Sequence, residues 1–163
     1  MDFEEVEKII NKLQEERNSL PRTDIQAHLE FMKKVEKIVH QNHYVLMMTY
    51  RWVIPITISG VWNEKDHVLR RYLKLLSLLN LGFCKDKARI LFEIANKSLA
   101  TAKTDFHLGK VKESDFKKII KNELLPIFNE VKLILRFDSK TSFEGKIYSA
   151  VEFYISSLTN FVK

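Results

Sequence analysis

The sequence predicts an all-α fold of about seven helices, and three observations carry that prediction. Glycine and proline are scarce, four and three in 163 residues, whereas a sheet-rich fold of this length needs more turn residues. Runs in which Val, Ile and Thr alternate with polar residues are missing. Apolar residues instead return every three or four positions, segment after segment, between capping residues, prolines and glycines. Charged residues at 29% beside hydrophobic residues at 45% suit a folded helical chain and not a disordered one.

The first helix runs from about Phe3 to Ser19, capped by Asp2, striped by Phe3, Val6, Ile10 and Leu13, and stopped by Pro21. The second starts at Thr23, where Thr23-x-x-Gln26 reads as a capping box. It turns Ile25, Leu29, Met32, Val35 and Val39 inward and frays at His40-Gln41. Asn42 opens the third, Tyr44 to Ser59, which is apolar on nearly all sides and so belongs at the centre. Pro55 should kink or shorten it, and Gly60 ends it. Asn63-x-x-Asp66 begins the fourth, with Leu69, Tyr72, Leu73, Leu76 and Leu79 inward, Arg70 and Arg71 at an edge or outer face, and Gly82 as a left-handed cap.

The fifth helix, about Asp86 to His107, carries Leu91, Ile94, Ala95, Leu99, Ala102 and Phe106 on one face. Ala88, Ala95 and Ala102 recur every seven residues, which lets a neighbouring helix come close. Gly109 and Lys110 turn the chain. Ser114 caps a sixth helix that reaches Leu135 with Pro126 inside it. Thr141-x-x-Glu144 reads as a capping box for the last helix, which runs to about Phe161 through Phe143, Ile147, Tyr148, Val151, Tyr154, Ile155 and Leu158. Short connections favour antiparallel neighbours in one helical domain over residues 1–163, as a closed bundle or a short solenoid.

The net charge of +6 raises the question of nucleic acid. However, the 27 basic residues interleave with 21 acidic ones, and no basic block forms, so a solvated, ion-paired surface is the stronger expectation. Cys84 is the only cysteine and cannot form an internal disulfide, and the opening Asp2-Phe3-Glu4-Glu5 is unlike a secretory leader. The expected setting is a reducing compartment, cytoplasm or nucleus. The longest apolar stretch, Tyr44 to Ile58, is broken by Arg51 and Pro55 and is shorter than the roughly 20 residues of a membrane span.

No chemistry-bearing pattern in the sequence is complete. His40 and His43 straddle a helix break with no second ligand pair, so no metal is expected. Cys84 lies beside Lys85 and Lys87 ahead of a helix, which would lower a thiol pKa, but packing at the turn is the simpler role. Acidic pairs such as Glu4-Glu5 and Glu15-Glu16 are adjacent and do not share a helix face, and Gly60, Gly82, Gly109 and Gly145 are scattered singly, so no phosphate loop exists. The expectation is no catalytic residue, no cofactor and no metal. The aromatic residues are expected mostly in the core, Trp52 included, while Trp62 is balanced between core and interface.

Four segments carry a resemblance. They are Leu20-Pro21-Arg22-Thr23-Asp24 with Val39-His40-Gln41-Asn42-His43-Tyr44-Val45-Leu46; Arg71-Tyr72-Leu73-Lys74-Leu75-Leu76 with Leu81-Gly82; Ala88-Arg89-Ile90-Leu91-Phe92-Glu93; and Leu133-Ile134-Leu135-Arg136-Phe137-Asp138 with Ser142-Phe143-Glu144-Gly145. In this order they resemble the C-terminal helical region of SET-and-MYND-domain (SMYD) proteins of the arthropod type, over nearly the whole chain. The resemblance implies a tetratricopeptide-like helical array that binds protein partners, acidic peptides or chaperone tails among them, in chromatin or transcriptional regulation. The SET and MYND segments of that family have no counterpart here, so no methyltransferase activity and no catalytic residue carry over. A fragment of a larger protein and a stand-alone relative both remain open.

The resulting expectation is a non-catalytic interaction module whose partner-binding residues are Arg51, Trp62, Arg70, Arg71 and Lys74, where charge and aromatic character coincide on neighbouring helices. A homodimer contact stays open, and a basic nucleic-acid binder is the alternative.

Overall fold

The periodic segments fold as helices, and every regular element among the described residues is helical. The computed structural model describes residues 3–21, 23–40, 43–59, 65–78 and 84–163. In order they form α1 (Phe3–Ser19), α2 (Ile25–Val35), α3 (Tyr44–Ser59), α4 (Lys65–Leu78), α5 (Lys85–His107), α6 (Glu113–Ile119), a π-helical turn (Ile120–Leu124), α7 (Leu125–Leu135) and α8 (Phe143–Val162). Because α6, the π turn and α7 are continuous, the rods number seven among the described residues.

The caps correct the sequence reading by a residue or two. At α2 the cap is Asp24, not Thr23: its carboxylate accepts from the Ala27 amide at 3.0 Å, while Gln26 donates to Glu30 instead of closing a box. A carboxylate at this position also meets the positive end of the helix dipole, which a threonine hydroxyl cannot do. At α8 the cap is Ser142, not Thr141, and its hydroxyl accepts from the Gly145 amide at 3.0 Å. Thr141 is drawn into a contact with the Ser139 hydroxyl, and Glu144 is drawn away to Arg89. At α6 the expected cap, Ser114, lies inside the helix, which begins from Lys112 without a side-chain cap. The expected caps Asp2, Asn42 and Asn63 and the turn glycines Gly60 and Gly82 lie outside the described residues.

The chain divides into two compact units, Met1–Leu75 and Leu76–Lys163. In the first unit α3 packs on both α1 and α2. Its core joins Leu13, Leu29, Phe31, Met32, Val35, Val45, Leu46, Val53 and Leu69, all buried. The Tyr50 ring stacks on that of Tyr72 from α4 at 5.3 Å. α3 remains helical through Pro55 to Ser59.

The second unit centres on α5, which packs on α7 and α8. Ala88, Ala95 and Ala102 are all buried, as the seven-residue recurrence of small side chains requires. The π turn explains how a helix can hold Pro126. Proline removes one amide and its ring crowds the carbonyl four residues earlier; here the Leu125 amide reaches back five residues to the Ile120 carbonyl, widening the helix just ahead of the ring. The same turn sets the register. Phe116, Ile120, Leu124 and Phe128 are all buried at four-residue spacing. In an unbroken α-helix that spacing drifts by about 120° over three steps. One extra residue in the turn returns about 100°, so the stripe stays on one face.

The aromatic residues depart from expectation. Phe31, Phe116 and Phe128 are buried, but Phe3, Phe137, Phe143, Phe153 and Phe161 are exposed.

Candidate partner-binding surfaces

Of the residues expected to bind a partner, the structure describes four, one on α3 and three on α4. Arg70 and Lys74, one helical turn apart, lie on the exposed outer face of α4, and Arg51 is exposed on α3. Arg71 turns to the edge of α4 and pairs with Glu36 at 2.7 Å. Trp62 lies outside the described residues. The Glu36–Arg71 pair borders a cavity of about 60 Å³ that is also lined by Leu29, Met32 and Tyr50. The Tyr50 hydroxyl is buried there with no hydrogen-bond partner. Burial pushes its pKa up to about 12, with Arg71 opposing and Glu36 adding to the rise.

Two exposed aromatic rings beneath arginines lie where α7 leads into α8. Phe137, 86% exposed, has the Arg136 guanidinium 4.5 Å from its ring centre. Phe143, expected in the core, is 54% exposed under the Arg89 guanidinium at 5.5 Å. It is the first residue of α8, ahead of the inward positions Ile147 and Val151.

Two ion pairs and a tight turn brace this connector. Lys85 and Arg89, one turn apart on α5, pair with Asp138 and Glu144. Arg89 also reaches Asp86 at 3.6 Å. The hydrogen bond from Lys85 to Asp138 raises the lysine pKa. The hydrogen bond from Arg89 holds the buried Glu144 carboxyl below its usual range. Between these rivets the chain turns tightly, and Ser142 donates both its amide and its hydroxyl to the Ser139 carbonyl at 2.9 and 2.6 Å. Gly145 makes the close approach possible, because a Cβ there would fall 2.7 Å from the Ser139 carbonyl carbon and 2.8 Å from the Lys140 Cα. Asp138 and Glu144 are thus engaged within the unit, and the Arg136 and Lys140 side chains reach the surface.

No family model, curated protein or solved structure matches this chain. The reading of the surfaces therefore rests on their chemistry. In the sequence Phe143 falls on a core stripe by helical spacing, and no apolar period marks Phe137 as a surface ring. The available signal was Arg136-Phe137 in a segment that breaks the apolar period.

Among the described residues, no three of His, Cys, Asp or Glu converge as a metal-binding group. None of the described helices is long and apolar enough to cross a membrane. His43 sits at the start of α3, where its Nδ1 accepts weakly from the Val45 amide at 3.4 Å, and His40 is exposed just before it. Cys84 is half-buried at the N-terminal boundary of α5. Trp52 is half-buried, with the Arg17 guanidinium 5.5 Å from its ring and the His28 ring edge-on at 6.2 Å.

Proposed function

We propose that this chain is a non-catalytic protein-interaction module that takes an acidic partner segment. The observation that carries the reading is the pair of exposed phenylalanines, Phe137 and Phe143, each beneath an arginine on a connector braced by two ion pairs. A braced backbone has less left to order on binding, and aromatic and arginine residues are the usual anchors of interfaces. Carboxylates on the partner would meet Arg136 and Lys140 while an apolar side chain covers the rings. The resemblance to SMYD C-terminal regions supports the same class of function, and a chromatin or transcriptional setting rests on that resemblance alone. The single cysteine supports a reducing compartment, cytoplasm or nucleus.

The test compares proteins captured from a native extract by the wild-type chain, by Phe137→Ala/Phe143→Ala and by Arg70→Glu/Lys74→Glu. The reading expects a partner with an acidic segment that the first variant binds at least about tenfold more weakly, equivalent to roughly 1.4 kcal/mol. Loss confined to the second variant would move the site to the outer face of α4. Equal capture by all three would end the reading. Binding only to DNA or RNA, steeply weakened by salt, would support the nucleic-acid alternative instead.

A further inference from the structure

α1 has an apolar stripe that the rest of its unit covers only in part. Leu13 is buried, Ile9 and Ile10 are half-buried, Val6 is 36% exposed and Phe3 is 80% exposed. Beside this stripe lies a groove of about 340 Å³ lined by Ile9, Lys12, Leu13, Glu16, Lys34 and Ile38, with Ile38 itself 48% exposed. An apolar helix face next to an apolar groove, both open to water, is an unfinished packing surface.

The charges around it indicate what completes it. The first two turns of α1 present Glu4, Glu5 and Glu7 beside a single Lys8, all exposed, whereas the groove carries Lys12, Glu16 and Lys34, the last two paired with each other at 2.6 Å. Glu5 and Lys12 are seven residues apart, so they lie on the same flank of the stripe. When two identical helices pair antiparallel about a two-fold axis near Ile9, position 5 of one falls opposite position 12 of the other, twice by symmetry. The same register brings Phe3 and Val6 of each copy toward the half-buried Ile10 of the other. An unrelated helix would have to reproduce this charge order; a second copy of the chain carries it already.

We propose that the chain self-associates through α1 as a two-fold dimer, with Glu5 of each copy meeting Lys12 of the other across the axis. This contact is independent of the Phe137–Phe143 surface, and either can fail without the other.

Sedimentation equilibrium over a concentration series tests it. The wild-type chain should show a monomer–dimer equilibrium. Phe3→Glu/Val6→Glu should be monomeric with unchanged helical circular dichroism, since both side chains are exposed. Glu5→Lys alone and Lys12→Glu alone should each weaken association by roughly three- to thirtyfold, the range for two exposed ion pairs. The combined Glu5→Lys/Lys12→Glu chain should recover most of that loss, because the pair is rebuilt across the axis with its signs exchanged. A wild-type chain that stays monomeric throughout overturns the proposal, as does a dimer indifferent to Phe3→Glu/Val6→Glu. Single charge variants that weaken the dimer without recovery in the combined chain overturn the pairing.

Discussion

The side chain of His28 is buried, and both its ring nitrogens lack a hydrogen-bond partner. Burial lowers its pKa below 6.5; the Pro21 carbonyl, though short of hydrogen-bond geometry, and the Asp24 carboxylate pull the other way. The unfolded chain therefore takes up this proton more readily than the folded one. The stability that the neutral ring contributes is complete above pH 6.5 and is lost as pH falls through the lowered folded value. His28→Leu, of similar size and with nothing to protonate, should gain on the wild type as pH drops from about 7.5 to about 5. Urea midpoints of both proteins at both pH values measure this, and parallel losses would exclude His28 as the group. Two glycines give a second residue-scale prediction. Gly109 has φ +70° after α5, where the Lys110 and Gly109 amides bond back to the Asp105 and Phe106 carbonyls. Space around it is open, so Gly109→Ala should cost only the left-handed backbone penalty of about 1 kcal/mol. Gly145→Ala meets backbone that cannot swing aside and should cost about 3 kcal/mol, the upper end for overpacking. Equal losses in denaturant titrations would contradict this contrast. The sequence made Gly109 readable as a turn, because it closes a long periodic segment. It did not reveal the need for Gly145, which arises from how closely residues 139 and 140 approach α8.

Helix periodicity located all seven rods because each buries a stripe, and burial is what the spacing of apolar residues encodes. The caps were less legible: Thr23 and Asp24, or Thr141 and Ser142, are adjacent capping residues, and local contacts decided between them, the helix dipole favouring the Asp24 carboxylate and the Ser139 hydroxyl engaging Thr141. The continuous rod of α6, π turn and α7 tests the link between sequence and register most directly. Its buried residues keep four-residue spacing across the turn because one extra residue is accommodated there. Removing an exposed residue of that turn, Lys121, should let the rod become a plain α-helix with both halves still facing the core. Pro126 would then stand inside regular helix, so the deletion alone should cost about 3 kcal/mol. The deletion combined with Pro126→Ala should return to within about 1 kcal/mol of the wild type. Pro126→Ala by itself should change little, since the buried stripe still requires the wide turn. If the combined variant unfolds as readily as the deletion alone, register is not what the π turn maintains.

At the scale of the whole molecule, the candidate surfaces were less readable than the fold, and the physical reason is specific. A stripe in sequence says that a face is apolar but not how much of it another element covers. Phe3 and Leu13 lie on one stripe of α1, yet one is 80% and the other 3% exposed. Phe143 and Ile147 head the same helix, yet only the second is buried. The division into two units has a sharper consequence. The second unit holds its own core, with Ile90, Ile120, Leu124, Phe128, Val131, Leu135 and Val151 fully buried, and its two ion-paired rivets lie wholly within it. Unit-sized helical domains near 80 residues are marginal but can fold when helix–helix packing is dense. A fragment of residues 84–163 retains the N-terminal boundary residue of α5 and all helices of that core. It should therefore show a helical circular dichroism spectrum and a single cooperative urea transition. Phe128→Ala in the fragment removes a fully buried ring and should cost about 3–5 kcal/mol, enough to unfold it. Arg89→Ala should cost less, about 1–3 kcal/mol, because Glu144 loses the cation that favours its charged form while the arginine it faces is itself partly exposed. That loss should shrink as pH falls through the lowered Glu144 pKa, since the folded wild type then gives up the same ion pair. A fragment that is unfolded at neutral pH would show instead that the second core depends on residues before 84.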